Sequence, residues 1–436
     1  MRVDDAGPVG LDHVEVAFDD EKVVSDAGIM LLATLTQRLG IQRLVDDTVL
    51  LLHERPGAVN AGRKVLALLF SMVLGGDCID DARVLRCGRT NRLLGWMPAP
   101  STLGTFLRAF TFGHVRQLER VLGECLTRAW AAGAGPGAAR LVIDVDSFIG
   151  EVFGDQKQGA GFGYTKVRGL HPILATRAGT GEVLQIRLRK GAANTQRGML
   201  RFTDELIARV DRAGATGIKL LRADNGFWNL KVFKRLEAAG WEYSIGIRMT
   251  KPIRALVDQI PETDWTTIED YPQPGEAQIA ETKYGARRMI VRRVRALPNA
   301  QSELFPAWFH YPFATNRIEE IAIVEAEHRQ HAVVELVIRD LKDQALAHFP
   351  SSRFAANGAW TVIAALAHNL LRWTTIIGAP EQTVPNARTT RRRLLNLPGR
   401  LTRHSNQWTL HLPARWPWRE DFTTALTRIR ALTPAT

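Results

Sequence analysis

Between Leu141 and Arg248 the pattern of apolar residues admits few folds, because short strand-like runs alternate with helical stretches and two of the runs lead into aspartate. The first run, Leu141-Val142-Ile143-Asp144-Val145-Asp146, is followed by strand patterns at Leu170–Ala175 and Val183–Arg189. In the last of these Leu184, Ile186 and Leu188 alternate with polar residues. A helix is expected from about Gln196 to Ala213, capped by Asn194 or Thr195, and then a strand at Ile218–Arg222. A helix at Leu230–Ala239, ended by Gly240, and a strand at Trp241–Arg248 complete the series. The order βββαβαβ predicts an antiparallel meander followed by two crossovers, right-handed and packed onto one sheet.

Carboxylates punctuate this sheet. Asp144 and Asp146 lie two apart in a strand and share one face, Asp224 follows the run that ends at Ala223, and Glu335 falls in a helical stretch beginning near Glu325. A strand-ending aspartate ordinarily caps a helix or forms a turn. That reading weakens when a second apolar strand ends at Asp224-Asn225-Gly226 in the same expected sheet, because converging carboxylates are costly unless cations neutralise them. Asp146, Asp224 and Glu335 point to a metal-dependent enzyme acting on phosphodiesters. His328, His331, Glu335 and Lys342 are spaced by three, four and seven, which on an unbroken helix places them on one face with Arg339 beside them. Such a mix is ordinarily a solvated face, but a metal ligand with a phosphate-binding lysine one or two turns away needs the same spacing. Zinc is disfavoured, since His328 and His331 are three rather than four apart and a third ligand is not evident.

The flanks differ in kind. From Val24 to about Trp130 the signals are helical, with Arg63–Leu74 a buried helix ended by Gly75-Gly76 and a further helix after Pro100 capped by Ser101 or Thr102. A Gly/Ala/Pro stretch at 131–139 reads as a linker, placing a helical domain at 1–135. The core then spans 136–350, with a β-rich insertion at about 252–316 and a helix from about Ile318 to Phe349. The remainder, 351–436, begins with an apolar helix at Ser351–Trp373. Its Ala387–Arg419 part has interleaved aromatics and no acidic residue, and Arg391, Arg392 and Arg393 there are candidate phosphate contacts.

The excess of 57 Lys+Arg over 45 Asp+Glu, +12 in all, favours a polyanionic partner. Cys78, Cys87 and Cys125 are odd in number and form no CxxC, so they are expected to be buried thiols rather than disulfides or a zinc cluster. Met1-Arg2-Val3-Asp4-Asp5 lacks a leader pattern, and the runs at 65–75 and 361–371 are too short to span a bilayer, so a soluble intracellular protein is expected.

Several phrases carry a resemblance. Gly75-Gly76-Asp77-Cys78-Ile79-Asp80-Asp81, the stretch Pro100–Arg108, Gly169-Leu170-His171-Pro172, the stretch Leu221–Trp228 and Leu366-Ala367-His368-Asn369-Leu370-Leu371 resemble the IS1380 family of bacterial insertion-sequence transposases. The likeness covers nearly the whole chain. It implies the ribonuclease H-like core of DDE transposases, with a first acidic position that matches Asp146 better than Asp144. In the wider IS4-like group the last acid lies in Tyr-x2-Arg-x3-Glu-x6-Lys, which falls here on His328, His331, Glu335 and Lys342; Glu and Lys match, whereas both aromatic and cationic positions are His. Arg329 and Arg339 are the neighbouring cations able to compensate.

The resemblance further implies two Mg²⁺ ions, replaceable by Mn²⁺, held by the three carboxylates for DNA cleavage and strand transfer. It implies cut-and-paste transposition by a homodimer or higher oligomer that pairs terminal inverted repeats and engages target DNA in the bacterial cytoplasm, at the nucleoid, away from membranes. The rivals are a ribonuclease H-like nuclease that does not join strands and an inactive DNA-binding descendant.

Overall fold

The computed structural model describes residues 11–435 except 53–55, 164, 273–274 and 296–307; the expectation drawn from Met1–Asp5 lies outside them. Apolar residues at helical spacing build α1 (Ile29–Arg38), α2 (Ile41–Thr48), α3 (Ala61–Val73), α4 (Pro100–Arg108) and α5 (Phe112–Ala129). Neither Ser101 nor Thr102 caps α4: Pro100 opens it, where a missing N–H costs nothing, and Ala99 precedes it without a side-chain cap. The stretch at 131–139 is only partly a linker, because α5 runs on through a wide turn at Trp130–Ala134 whose Trp130 and Ala134 are buried.

The βββαβαβ order is present. β1 (Leu141–Ser147), β2 (Ile173–Arg177) and β3 (Val183–Arg187) pair antiparallel, then α6 (Met199–Arg212), β4 (Lys219–Ala223), α7 (Leu230–Ala238) and β5 (Glu242–Gly246) follow. β4 lies parallel to β1, and β5 parallel to β4. Across the sheet these five strands run β5-β4-β1-β2-β3. α6 begins three residues later than expected, at Met199, and Gly198 before it, with a φ of +78°, starts the helix without a side-chain cap; Asn194 instead accepts the N–H of Gln196 in a local turn.

Residues 251–315, where a β-rich insertion is expected, are joined to the central sheet. After α8 (Lys251–Asp258), β6 (Glu276–Tyr284), β7 (Arg287–Arg295) and β8 (Phe309–Thr315) extend the central sheet, because β8 pairs with β5 through Phe313↔Gly246 and Ala314↔Ile245. With the short strand Thr266–Thr267 the described residues form a mixed sheet of nine strands. The expected helix from 318 to 349 is broken. α9 (Ile321–Arg329) passes through a 3-10 turn at Gln330–Val333 into α10 (Val334–Lys342), and the tighter turn shifts which residues share a face.

α11 (Phe354–Gly378) is buried along most of its length and packs on α3, α5 and β3, so one apolar core joins the N-terminal helices to the sheet. Two polar devices explain its place. Asn369 accepts the Val183 N–H at 2.7 Å and donates to the Val183 carbonyl at 2.9 Å, satisfying the sheet's edge strand as a neighbouring strand would. Buried Glu182 accepts from the indoles of Trp130 and Trp373 at 3.0 and 2.9 Å and from Arg177 at 2.9 Å. The Arg-rich tail forms the hairpin β9 (Gly399–His404) and β10 (Gln407–His411), to which Val23–Val24 add a strand, and then α12 (Arg419–Ala431). Cys125 is buried and Cys78 partly so, but Cys87 is exposed, contrary to expectation. Among the described residues no helix is long and apolar enough to cross a membrane.

Candidate active site

Strand register brings the two aspartates together. Asp144 stands opposite Arg222 and Val145 opposite Ala223, so Asp146 and Asp224 emerge side by side from the ends of parallel neighbours. Asp146 Oδ1 accepts the Ser147 N–H at 2.6 Å; Ser147 Oγ lies 2.9 Å from His171 Nε2, and His171 Nδ1 lies 2.9 Å from the Ala193 carbonyl. Asp224 Oδ1 accepts the Gly226 N–H at 2.9 Å and caps the turn at Asn225–Phe227. The turn lies flat on β5 because residue 246 is glycine: a Cβ there would meet the Asn225 nitrogen at 2.6 Å.

Glu335 is exposed in the first turn of α10, which packs on β1. Its charge is felt by Asp146. Burial, together with the neighbouring charges of Asp224 and Glu335, pushes the Asp146 carboxyl up to about 6, against the pull of the Ser147 N–H and His331. Asp224 keeps some solvent exposure, yet burial of its inner side raises its pKa as well, opposed by the Gly226 N–H, His331 and Arg248. Three carboxylates gathered in this way form a donor set suited to a hard divalent cation, all of it oxygen.

The remaining candidates separate. His331 joins the site, its Nε2 donating to the Val145 carbonyl at 3.2 Å. Lys342 is exposed, with its ammonium 5.9 Å from the ring of Phe148, two residues beyond Asp146; Arg339 is exposed one turn after Glu335. Among the described residues neither Lys342 nor Arg339 enters an ion pair. Arg329 is committed elsewhere, bonded to Glu325 at 2.9 Å and lying over Tyr271.

Three expectations need correction. His328 does not face a phosphate: it stacks on Phe313 at 4.1 Å, bonds Ser244 Oγ at 2.8 Å, and burial drives its pKa down to about 3, so it stays neutral. Arg391 is buried near Asp340 and Asp343 rather than offered to DNA, whereas Arg392 and Arg393 are exposed. Asp144, the alternative first ligand, is already neutralised, accepting from Arg222 Nε at 2.7 Å and Nη2 at 2.8 Å.

Arg222 and Arg248 escaped the sequence reading. A guanidinium within the apolar run Leu220–Ala223, two residues before Asp224 as Asp144 is before Asp146, was the available signal for the first. For Arg248, exposed beyond the end of β5, nothing marked it. A separate group, Asp77, Cys78 and Asp81, has donor atoms within 4.8 Å of one another, and His348 Nδ1 lies 3.1 Å from Asp77. Asp81 there accepts the N–H groups of Asp77 and Cys78, both at 2.9 Å, the ordinary work of a turn-forming aspartate.

The family model described as Transposase DDE domain group 1 matches residues 7–434. No curated protein matches. Among solved structures, the cryo-EM structure of a piggyBac transposase synaptic complex with hairpin DNA is similar at 12% identity, covering 85% of this chain and 79% of that one, with a TM-score of 0.46.

Proposed function

The chain belongs to the family Transposase DDE domain group 1 and is a DNA transposase, and on that premise we propose that Asp146, Asp224 and Glu335 are its three catalytic acids. Enzymes of this family use divalent metal ions. The observation that carries the assignment is the meeting of Asp146 and Asp224 on adjacent parallel strand ends, where burial, with the charges of Asp224 and Glu335 added, raises the Asp146 pKa to about 6. The five-strand order β5-β4-β1-β2-β3 supports a ribonuclease H-like core.

When bound, divalent cations supply the charge that three carboxylates lack and polarise the scissile phosphodiester. Mg²⁺ fits this oxygen-only donor set, with Mn²⁺ able to replace it. Asp146 and Asp224 are held by strand register and local N–H bonds, and Glu335 by α10 against β1. His331 sets the approach of the turn before α10 by its bond to Val145, and Lys342 presents a flexible cation to the phosphate. Phosphoryl transfer asks for such positioning and charge rather than a protein nucleophile. Under this reading the protein binds the terminal inverted repeats of an insertion sequence as an oligomer and performs cut-and-paste transposition, the finer assignment being to the IS1380 type.

The test is cleavage and joining of a labelled duplex taken from the DNA flanking the coding region, with Mg²⁺, by wild type and by Asp146→Asn, Asp224→Asn and Glu335→Gln. Metal-dependent cutting and joining lost in all three supports the reading. Variants that cut normally refute the triad, and cutting without joining points to a nuclease.

A further inference from the structure

Directly beneath the proposed ligands lies a second, closed rung. Asp144 and Arg222 face each other across β1 and β4, 1% and 2% exposed, and meet through two parallel bonds of 2.7 and 2.8 Å. The third arm of the guanidinium, Nη1, donates to the Glu327 carbonyl at 2.5 Å, near the end of α9. One planar group thus grips two strands and a helix. Asp146 lies two residues after Asp144, Asp224 two after Arg222, and Glu335 follows α9 across the single 3-10 turn.

We infer that Asp144 and Arg222 are positioning residues that set the mutual spacing of the three acids and thereby the affinity of the site for a divalent cation. The inference rests on the reading of Asp146, Asp224 and Glu335 as ligands. Backbone pairing already aligns β1 with β4, but it does not reach the helix. The Nη1 bond does, joining the Gln330 N–H on the Glu327 carbonyl at the C-terminal end of α9. An ammonium in place of the guanidinium lacks the fixed fork that holds a carboxylate by two bonds while a third points away. Because the rung is internally neutral, it leaves the charge of the upper acids free for a cation. His331, bonded to the Val145 carbonyl between the two rungs, is a second tie on the same side.

The test is direct Mn²⁺ binding to the purified full chain, followed by the loss of the free-ion electron paramagnetic resonance signal, with melting temperature recorded in parallel. The double variant Asp144→Leu/Arg222→Met removes both charges and leaves neither buried alone, so its melting temperature should stay near that of wild type. Its Mn²⁺ dissociation constant should rise about 10- to 100-fold, the scale of losing groups that orient ligands. Arg222→Lys, which keeps the charge but loses the fork, should rise about 10-fold, and it decides the matter if the double variant does not fold. Asp146→Asn should lose the site. Wild-type affinity in the folded double variant, or in Arg222→Lys, overturns the inference while Asp146→Asn remains defective; wild-type binding by Asp146→Asn overturns the ligand reading itself.

Discussion

Two rungs of one ladder, two residues apart, are built from opposite principles. In the inner rung an acid faces a base, both are buried, and every bond closes within the protein. In the outer rung an acid faces an acid, a third acid stands above, and burial with mutual repulsion drives the Asp146 pKa to about 6. The inner rung is consistent at every level, whereas the outer one is consistent only if something positive joins it, and such local inconsistency is where function is to be sought. The two rungs also differ in what removal does, which gives the comparison its tests.

The largest effect is expected at the inner rung. Asp144→Ala strands a buried guanidinium and should cost about 3–5 kcal/mol of stability, read by urea unfolding; a loss as small as that of a surface substitution would mean that the pair is wetter than its geometry indicates. At the outer rung, Glu335→Gln should lower metal-dependent cleavage at least about 100-fold while leaving folding and DNA binding unchanged. A matching fall in stability would erase the distinction between the rungs.

The metal-free protein offers a smaller and more diagnostic difference. The Asp146 pKa is raised from 3.8 to about 6 in the folded state, so this group favours folding below pH 3.8 and loses that contribution as pH rises through 6. Asp146→Asn without metal should therefore be more stable than wild type at pH 7.5, by about 1–2 kcal/mol once solvent screening is allowed for. The gain should disappear near pH 4 and when Mn²⁺ is added. Equal stability across the range would show that the acids do not burden one another.

The smallest effect concerns the tail. Replacing Arg392 and Arg393 by Ala should reduce the salt slope of DNA binding by roughly one for each phosphate no longer neutralised, whereas Arg391→Ala should leave the slope alone and lower the melting temperature. A shared response would return all three arginines to one basic surface.

Much of this was legible in the sequence, and the rest failed for identifiable reasons. Short apolar runs ending at aspartate located β1 and β4, and period-two alternation located β3, since these signals are local. Whether β6, β7 and β8 stood apart could not be read, because their attachment is the pairing of Phe313 with Gly246, set by residues far away in the chain. Counting three, four and seven along an unbroken helix put His328 beside His331, but the 3-10 turn at 330–333 and the Phe313 ring send His328 into the core. Composition marked Arg391, Arg392 and Arg393 as charge without saying that the first would be buried. Asp144 and Asp146 share a strand face, so strand geometry does not separate them; the resemblance favours Asp146, and the partner strand, with Arg222 opposite one and Asp224 beside the other, supplies a physical reason for that choice.

Localised oxidative cleavage tests the outer rung most directly: Fe²⁺ replaces the native cation, ascorbate and peroxide generate hydroxyl radicals where it sits, and the backbone cuts are mapped by mass spectrometry. Cuts confined to the neighbourhoods of Asp146, Asp224 and Glu335, and suppressed by excess Mg²⁺, are expected. Cuts that instead surround Asp77–Asp81 and His348, or spread along the chain without competition by Mg²⁺, would contradict a cation site at the strand ends.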